Sequence, residues 1–524
     1  MRKSNRLISG VIIVGIVCAF IISVFVVFAD RASLSFDAFL RREVTSHRIA
    51  EKNTSWRYLN KGEEPAIGNA WTLLSYDDSF WELGDGAFDF SRESRGEKNG
   101  TCFFRMEFDY NSRDYKAERL LGKIAYMDAI VMYLNGQIIY AGNAPDGGYA
   151  SNLDDGAAEL IDSIREVDLD ISDLDALKNG RNVLAVEVHQ SQFTNPHSYF
   201  RCDYLDITSE EREEVIPNTD SVIIKRGASE EVCITYASKE DAYYQVKYVP
   251  DEKHLKEEDF YRAADSVLME RHYVPEEGIF IHKATLKKLS TNQRYQYSIC
   301  RIGSKKGSAR EKFTALGRSR QLFGMISPYV KDEEVAEFLG SDMQILIPSW
   351  NDRADTSKLK NNIVIPAPGI WSDEEHKESY YRIRFGDPTE NEVTDAYFLN
   401  GDVLVFSLNA NIEDIQYHKD YMQKVIDSTQ RKWIITMMMP SVLSGGKILD
   451  PDKKKEWIDL MQSMGVNVLV TSEGVFEYDC TEIGIINLDS ISGEEFAIID
   501  VANDRIAVSL LKNGTPEEQI ILGK

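Results

Sequence analysis

Two cations that hold a substrate and activate a water need a ring of Asp, Asn and His donors around them. The chain has eight histidines, and only His376 and His418 follow residue 320. A histidine-rich dinuclear site cannot be assembled from two imidazoles at unrelated places. The acidic run Asp352, Asp355, Asp373, Glu374, Glu375 and His376 is the other grouping of hard donors in that region. It reads first as a solvated loop and second as a replacement metal cluster. Earlier in the chain, Glu187 and His189 lie two residues apart in an alternating segment, so they share one strand face. They are either a hydrogen-bonded structural pair or, with Asp128 and Asn135, candidates for holding a ligand. There is no Gly-x-Ser-x-Gly elbow, no phosphate-binding glycine loop and no His-Glu-x-x-His, so the common hydrolase and nucleotide signatures are missing.

The elements that would position such residues follow from pattern. The length of 524 residues suggests three or four domains. Hydrophobic content of 43% and charged content of 28% are those of folded material. The net charge of −25 repels nucleic-acid phosphates and argues against a DNA or RNA partner. Leu7 to Ala29 carries no charge. Its 23 residues make roughly 35 Å of helix, enough to cross a hydrocarbon core of about 30 Å. Arg2, Lys3 and Arg6 precede the run, so a cytoplasmic N-terminus and an extracellular bulk are expected. A cleaved signal peptide is the alternative. Against it, the run is too long for the usual apolar region, and Phe28-Ala29-Asp30 is a poor cleavage site. The reading is a single-pass membrane protein anchored through residues 7–29, with a cytoplasmic tip and anchor over 1–30 and a stalk over 31–49.

From 50 to 210, short alternating segments such as Thr101–Asp109 and Asn182–His189 are separated by turns at Asn135-Gly136 and Asn179-Gly180. That pattern predicts an antiparallel sandwich. Residues 216–316 repeat it on a smaller scale, with strands expected at Glu231–Tyr236, Tyr244–Tyr248, Phe280–Leu286 and Tyr295–Arg301. Residues 320–514 alternate apolar strands (Leu322–Ile326, Val403–Ser407, Trp433–Met438, Val466–Val470) with helical stretches (Tyr417–Thr429, Asp452–Met464), which predicts an α/β layered domain. Cys102 and Cys202 fall in the first of these units and Cys233 and Cys300 in the second. Either two disulfides or four buried thiols would fit.

Three resemblances add to this reading. Trp56, Trp71, Asp77-Asp78-Ser79-Phe80-Trp81, Phe104-Arg105, Tyr126-Met127-Asp128, Tyr133-Leu134-Asn135-Gly136, Asn143-Ala144-Pro145 and the segment from Asn182 to Gln190 come in the order seen in galactose-binding-like jelly rolls of secreted bacterial enzymes. That resemblance implies a fold and, in some members, carbohydrate binding; the aromatics read as core before sugar platform. The stretch from Leu286 through Leu289 to Tyr295-Gln296-Tyr297, closed by Phe313-Thr314-Ala315, resembles the fibronectin-type-III-like domain that precedes purple acid phosphatases. It implies that Cys233 and Cys300 lie on facing strands, where a bridge is a hypothesis.

The last domain resembles the calcineurin-like metallophosphoesterases in their purple acid phosphatase branch. The resemblance rests on the segment Ser379 to Asp387, on Val403 to Leu408, on Trp433 to Gly445 and on Gly465 to Val475. It implies a two-metal hydrolase, but the ligand positions are altered. Ser327 and Ser349 stand where the family has aspartates. Ile370 replaces a ligating amide, and Trp371 the histidine that assists the leaving group. Met439, Glu473 and Val475 replace the three later histidines. Only Glu473 could hold a hard metal, so no cofactor is expected and the family's dinuclear site is expected to be absent. Losing one outer-shell partner typically costs 10–100-fold in metal affinity or activity; losing the whole inner set should abolish the site. The expectation is a multidomain, membrane-anchored pseudo-phosphoesterase that recognises a glycan or a protein. The alternative is a divergent phosphoesterase with a rebuilt metal site.

Overall fold

The computed structural model describes residues 46–59, 65, 68–90, 101–144, 163–189, 199–211, 213–226, 231–251, 255–275, 277–290, 292–315, 321–325, 343–350, 359–368, 381, 384–385, 395–409, 412, 414–438, 451–471, 483–487, 495–502, 504–512 and 515–523. The anchor expected at 7–29 lies outside them. Among the described residues no helix is long and apolar enough to cross a membrane. The chain is a mostly-β assembly of sandwiches with few helices.

The first unit has strands β1 (Ser46–Glu51), β2 (Ser55–Leu59), β3 (Glu82–Asp85), β4 (Ala87–Asp89), β5 (Thr101–Tyr110), β6 (Arg119–Tyr126), β7 (Ala129–Leu134), β8 (Gln137–Gly142), β9 (Arg165–Ile171), β10 (Gly180–His189) and β11 (Tyr199–Thr208). One sheet runs β1-β11-β6-β9, with β4 also on β11; the other runs β3-β2-β5-β10-β7-β8. Side chains alternate along each strand, so Phe104, Met106, Leu184, Val186 and Met132 meet Ile124, Leu169, Phe200 and Leu205 in the core between the sheets. The sandwich begins at Ser46, which pairs with Thr208, inside the stretch expected to be stalk. Asn135 and Gly136 carry φ of 49° and 93°. That is the left-handed pair a two-residue β7–β8 hairpin requires.

The outer face of the six-stranded sheet is covered too. Trp71 and Trp81 pack there on Phe103, Val131 and Tyr133. A buried aromatic side chain removes 150–250 Å2 from water, worth about 4–6 kcal/mol at ~25 cal/mol per Å2. Trp56, Trp71 and Trp81 are all buried, so these aromatics form core.

The second unit has β12 (Ile223–Arg226), β13 (Val232–Ser238), β14 (Tyr244–Pro250), α1 (Glu257–Ala263), β15 (Asp265–Leu268), β16 (Glu270–Val274), β17 (Ile279–Leu286), β18 (Gln293–Arg301) and β19 (Glu311–Ala315). Val232, Ile234 and Tyr236 meet Tyr295, Tyr297 and Ile299 in its core. By alternation Cys233 and Cys300 point the other way, away from that core and from each other, and both are thiols. Cys300 instead packs with Val249, Phe260 and Tyr261. The bridge suggested by the sequence is therefore not formed. Cys102 and Cys202 share the first core and are not bridged either. Burial pushes the Cys202 and Cys300 thiols up to about 12.

The third unit has β20 (Gln321–Met325), β21 (Met343–Trp350), β22 (Ile363–Pro368), β23 (Ala396–Asn400), β24 (Val403–Leu408), α2 (Ile415–Ser428), β25 (Trp433–Met438), α3 (Pro451–Ser463), β26 (Val468–Thr471), β27 (Gly484–Asn487), β28 (Glu495–Val501), β29 (Arg505–Lys512) and β30 (Thr515–Gly523). One sheet runs β23-β24-β25-β26-β27. The other does not stop at the domain boundary. Strand β12 pairs in parallel with β22, so a ten-stranded sheet runs β16-β17-β13-β12-β22-β21-β20-β28-β29-β30. Phe323, Leu346 and Ile365 of this sheet face Val405, Trp433, Ile435 and Val468 of the other. Helices α2 and α3 cover the far side of the five-stranded sheet through Met422, Trp457 and Met461. Asp414 caps α2 by accepting from the Gln416 N–H at 3.0 Å.

Candidate functional site

The strands of the third unit define an edge. Strands β20, β21 and β22 are parallel to one another, as are β24 to β27. Three hydrogen bonds orient one sheet on the other. Near the strand starts, Gln321 Nε2 donates to Asn400 O at 2.5 Å and Trp433 Nε1 donates to Ala502 O at 3.1 Å. Near the ends, Ser407 Oγ donates to Pro366 O at 2.9 Å. Both parallel sets therefore run the same way, and their carboxyl ends share one edge. Open α/β sheets bind ligands outside such an edge.

The positions singled out in the sequence follow those ends in chain order. Ser327 comes just after β20, which ends at Met325; Ser349 is in the last turn of pleat of β21. Ile370 and Trp371 follow β22, Met439 follows β25, and Glu473 and Val475 follow β26. Ser349 is described in its backbone. Ser327, Ile370, Trp371, Met439, Glu473 and Val475 lie outside the described residues, as do Asp352, Asp355, Asp373, Glu374, Glu375 and His376. Two hydroxyls, one carboxylate and four groups without a hard donor do not fit a two-cation centre. Among the described residues no group of three His, Cys, Asp or Glu could hold a metal ion.

His418 is the described imidazole of this unit, and it is committed elsewhere. It sits in the first turn of α2, fully buried, with Nδ1 2.7 Å from Asp395 Oδ2 and Nε2 2.9 Å from Ile412 O. Both partners can accept from the ring, an arrangement that favours the doubly protonated imidazole. Burial pulls the imidazole pKa down most strongly as a single cause. The Asp395 hydrogen bond and charge together outweigh it, and the net shift is upward. The other Asp395 oxygen accepts from the Asn409 N–H at 2.8 Å, just past β24. This pair clamps the β24–α2 connection. The sequence shows both residues but not their meeting, because 23 positions separate them.

The candidates in the first sandwich fall in two places, Asn135 at one end of the six-stranded sheet and Glu187, His189 and Asp128 at the other. Asn135 donates to Ala176 O at 2.8 Å and Asn182 Oδ1 at 2.7 Å, and accepts from Val183 N at 3.0 Å. It locks a turn. Glu187 and His189 lie at the far end of β10, roughly 20 Å along the strand from the Asn182 pairing position. There Tyr133 donates to Glu187 Oε1 at 2.6 Å, His189 Nε2 lies 3.6 Å from the same oxygen, and His189 Nδ1 lies 3.2 Å from Thr101 Oγ1. Asp128 has φ of 64°, and its carbonyl accepts from Asn143 Nδ2 at 2.9 Å. Asp128, Glu187 and His189 are buried. Beside them is a pair that pattern reading missed: Arg105, buried in β5, with Nε 2.8 Å from Asp78 Oδ2. An arginine inside an otherwise apolar strand segment was the available signal.

No family model matches the chain, and no curated protein matches it. Among solved structures it is similar to a glycosyl hydrolase family 2 member from Bacteroides cellulosilyticus, at 11% identity over 82% of this chain and 59% of that one, with a TM-score of 0.20. The chain thus spans less than two thirds of that protein. It is also similar to a Bifidobacterium dentium β-glucuronidase, at 10% identity over 86% of this chain and 95% of that one, with a TM-score of 0.20. A third likeness is to a conserved uncharacterized protein of Streptococcus pneumoniae described as a predicted phosphoesterase. It has 11% identity over 40% of this chain and 100% of that one, with a TM-score of 0.22. Likenesses at these identities and scores attach no activity to the chain.

Proposed function

We propose that this chain is a membrane-anchored, extracellular pseudo-phosphoesterase that works by recognising an envelope glycan or a protein partner. One observation carries the reading. In chain order the positions matched to metal ligands fall within or shortly after parallel strands whose carboxyl ends share one edge, and they hold Ser, Ile, Trp, Met, Val and one Glu. A metallophosphoesterase frame with those residues keeps one carboxylate and two hydroxyls, too few hard donors for two cations. The anchor is residues 7–29, with the three domains outside the cell.

Elemental analysis of the purified protein, with an aryl-phosphate assay in added Zn, Mn and Fe, tests this. The expected result is metal well below one ion per chain and no turnover. Stoichiometric metal with turnover would overturn it in favour of a divergent phosphoesterase whose site is rebuilt from residues such as Asp352, Asp373 and His376. Release of the protein from membranes by alkaline wash would overturn the anchor.

A further inference from the structure

The first sandwich ends laterally in two edge strands, β9 in one sheet and β8 in the other. Between these edges and the β16–β17 hairpin of the second unit lies a groove of about 540 Å3. That is within the range of roughly 300–1,000 Å3 typical of small-ligand sites.

One wall is aromatic. Tyr273 and Phe280 are direct cross-strand partners, with ring centroids 4.8 Å apart. Tyr273 is 52% exposed, while Val274 beside it is buried and Phe280 across from it half-buried. Arg271 extends the wall: its guanidinium stands 5.1 Å from the Phe280 ring centre and 4.6 Å from that of Tyr243. Asp241 holds that guanidinium in place.

The opposite wall is polar. Arg165 lies on the β9 face shared with Val167 and Leu169, turned toward the space between the sheets, while Asp168 lies on the opposite face beside Lys123 and borders the groove through the strand edge. Because β8 and β9 are edges, alternate backbone N–H and C=O groups also turn outward there. Three arginines (165, 271, 301) and three aspartates (168, 170, 241) line the groove, so it is balanced in charge on a chain of net −25. A polyanion or a polycation would find no field to steer it. A purely apolar ligand would leave the guanidinium and carboxylate groups desolvated. A flat ring facing planar, two-pronged hydrogen-bonding groups suits a molecule with one apolar face and a rim of neighbouring hydroxyls.

We infer that this interdomain groove binds a neutral oligosaccharide. Tyr273 supplies the stacking platform, while Arg165 and the β8 and β9 backbone edges bond the hydroxyls. The inference rests on the glycan half of the proposed function and assigns it to a place that neither the buried Glu187–His189 pair nor the carboxyl edge occupies.

The test uses the full chain in detergent on an array of neutral oligosaccharides (cello-, xylo-, manno- and chito-) and acidic ones (polygalacturonate, hyaluronate). The tightest array ligand is then titrated calorimetrically against variants. Tyr273→Ala should weaken binding about tenfold or more. Arg165→Ala should weaken it by about tenfold or more, the loss of a charge-assisted hydrogen bond. Leu83→Ala, at a position 67% exposed that does not line the groove, should leave affinity unchanged. All three positions are exposed enough for the fold to persist, and unchanged melting midpoints check that. A neutral glycan bound equally by wild type, Tyr273→Ala and Arg165→Ala overturns the groove and leaves the recognition reading standing. Binding of acidic glycans alone overturns the neutral class. No glycan bound, with a protein partner captured by crosslinking instead, overturns both the groove and the glycan half of the reading.

Discussion

Ser407 in β24 donates a hydrogen bond to the carbonyl of Pro366 in β22 across 2.9 Å, joining the two sheets of the C-terminal unit. Tyr381 donates to the same oxygen at 3.2 Å. The carbonyl thus has two donors, in a setting dry enough to push the Tyr381 phenol pKa upward. This bond fixes which way the two parallel sets point, and so where their carboxyl ends meet.

Replacing Ser407 with Ala should therefore cost only about 1 kcal/mol, since Tyr381 still serves the carbonyl. The double change Ser407→Ala with Tyr381→Phe should cost more than the sum, because an unserved buried carbonyl adds about 1–3 kcal/mol. Chemical denaturation of the four proteins in the cycle measures the coupling. Strict additivity would show that the shared carbonyl does not join the sheets.

The Asp395–His418 pair makes stability depend on pH. The folded imidazole pKa lies above its ordinary value of 6.5. Its contribution is then fully present below about pH 6.5 and is lost as pH rises through the raised folded value. Asp395→Asn should lower stability near neutrality by about 3–5 kcal/mol, as expected when a buried charge loses its partner. It should also flatten the decline on the alkaline side. Melting midpoints of both proteins from pH 5 to 9 test this; parallel curves would refute it.

Tyr133→Phe should cost about 1.5–3 kcal/mol, because the phenol serves a buried carboxylate. Glu187→Gln, which keeps an acceptor for Tyr133, should cost less. Neither change should affect glycan affinity, since both residues are buried on the covered outer face of the six-stranded sheet and neither lines the groove. Calorimetric unfolding together with the glycan titration would separate a structural pair from a binding one.

Gly303 joins the first two units. Its carbonyl accepts from the Ser172 N–H at 2.8 Å, its φ is +79°, and a Cβ there would stand 2.9 Å from Ile139 O. An alanine would add about 1–2 kcal/mol of left-handed strain, plus displacement of a backbone that cannot yield easily. Gly303→Ala should loosen the joint formed with Lys247–Asp173 at 3.3 Å and Lys305–Glu118 at 3.2 Å. Separate melting transitions for the two sandwiches, against the coupled ones expected of the unsubstituted chain, would be the sign. An unchanged thermogram would count against the joint.

Much of the architecture was readable because it is local. The strand expected at Trp433–Met438 is β25 residue for residue, and the helix expected at Tyr417–Thr429 is α2 to within two positions. Both rest on periodicity over a few neighbouring side chains. The turn at Asn135-Gly136 was legible because few residues other than Asn and Gly adopt its backbone angles. The scarcity of imidazoles after residue 320 needed no structure at all.

What the sequence alone determined, then, is the position of many strands and of the two C-terminal helices, and which residue types stand at the positions matched to metal ligands, because both depend on residue type and short-range spacing. Only the tertiary structure decided that β12 joins β22 into one sheet across a domain boundary, and that Cys233 and Cys300 face apart. It alone turned Glu187 and His189 inward and opened an aromatic groove beside Tyr273. Those outcomes depend on register and burial between segments tens to hundreds of residues apart, where the free energy of packing outweighs any local preference.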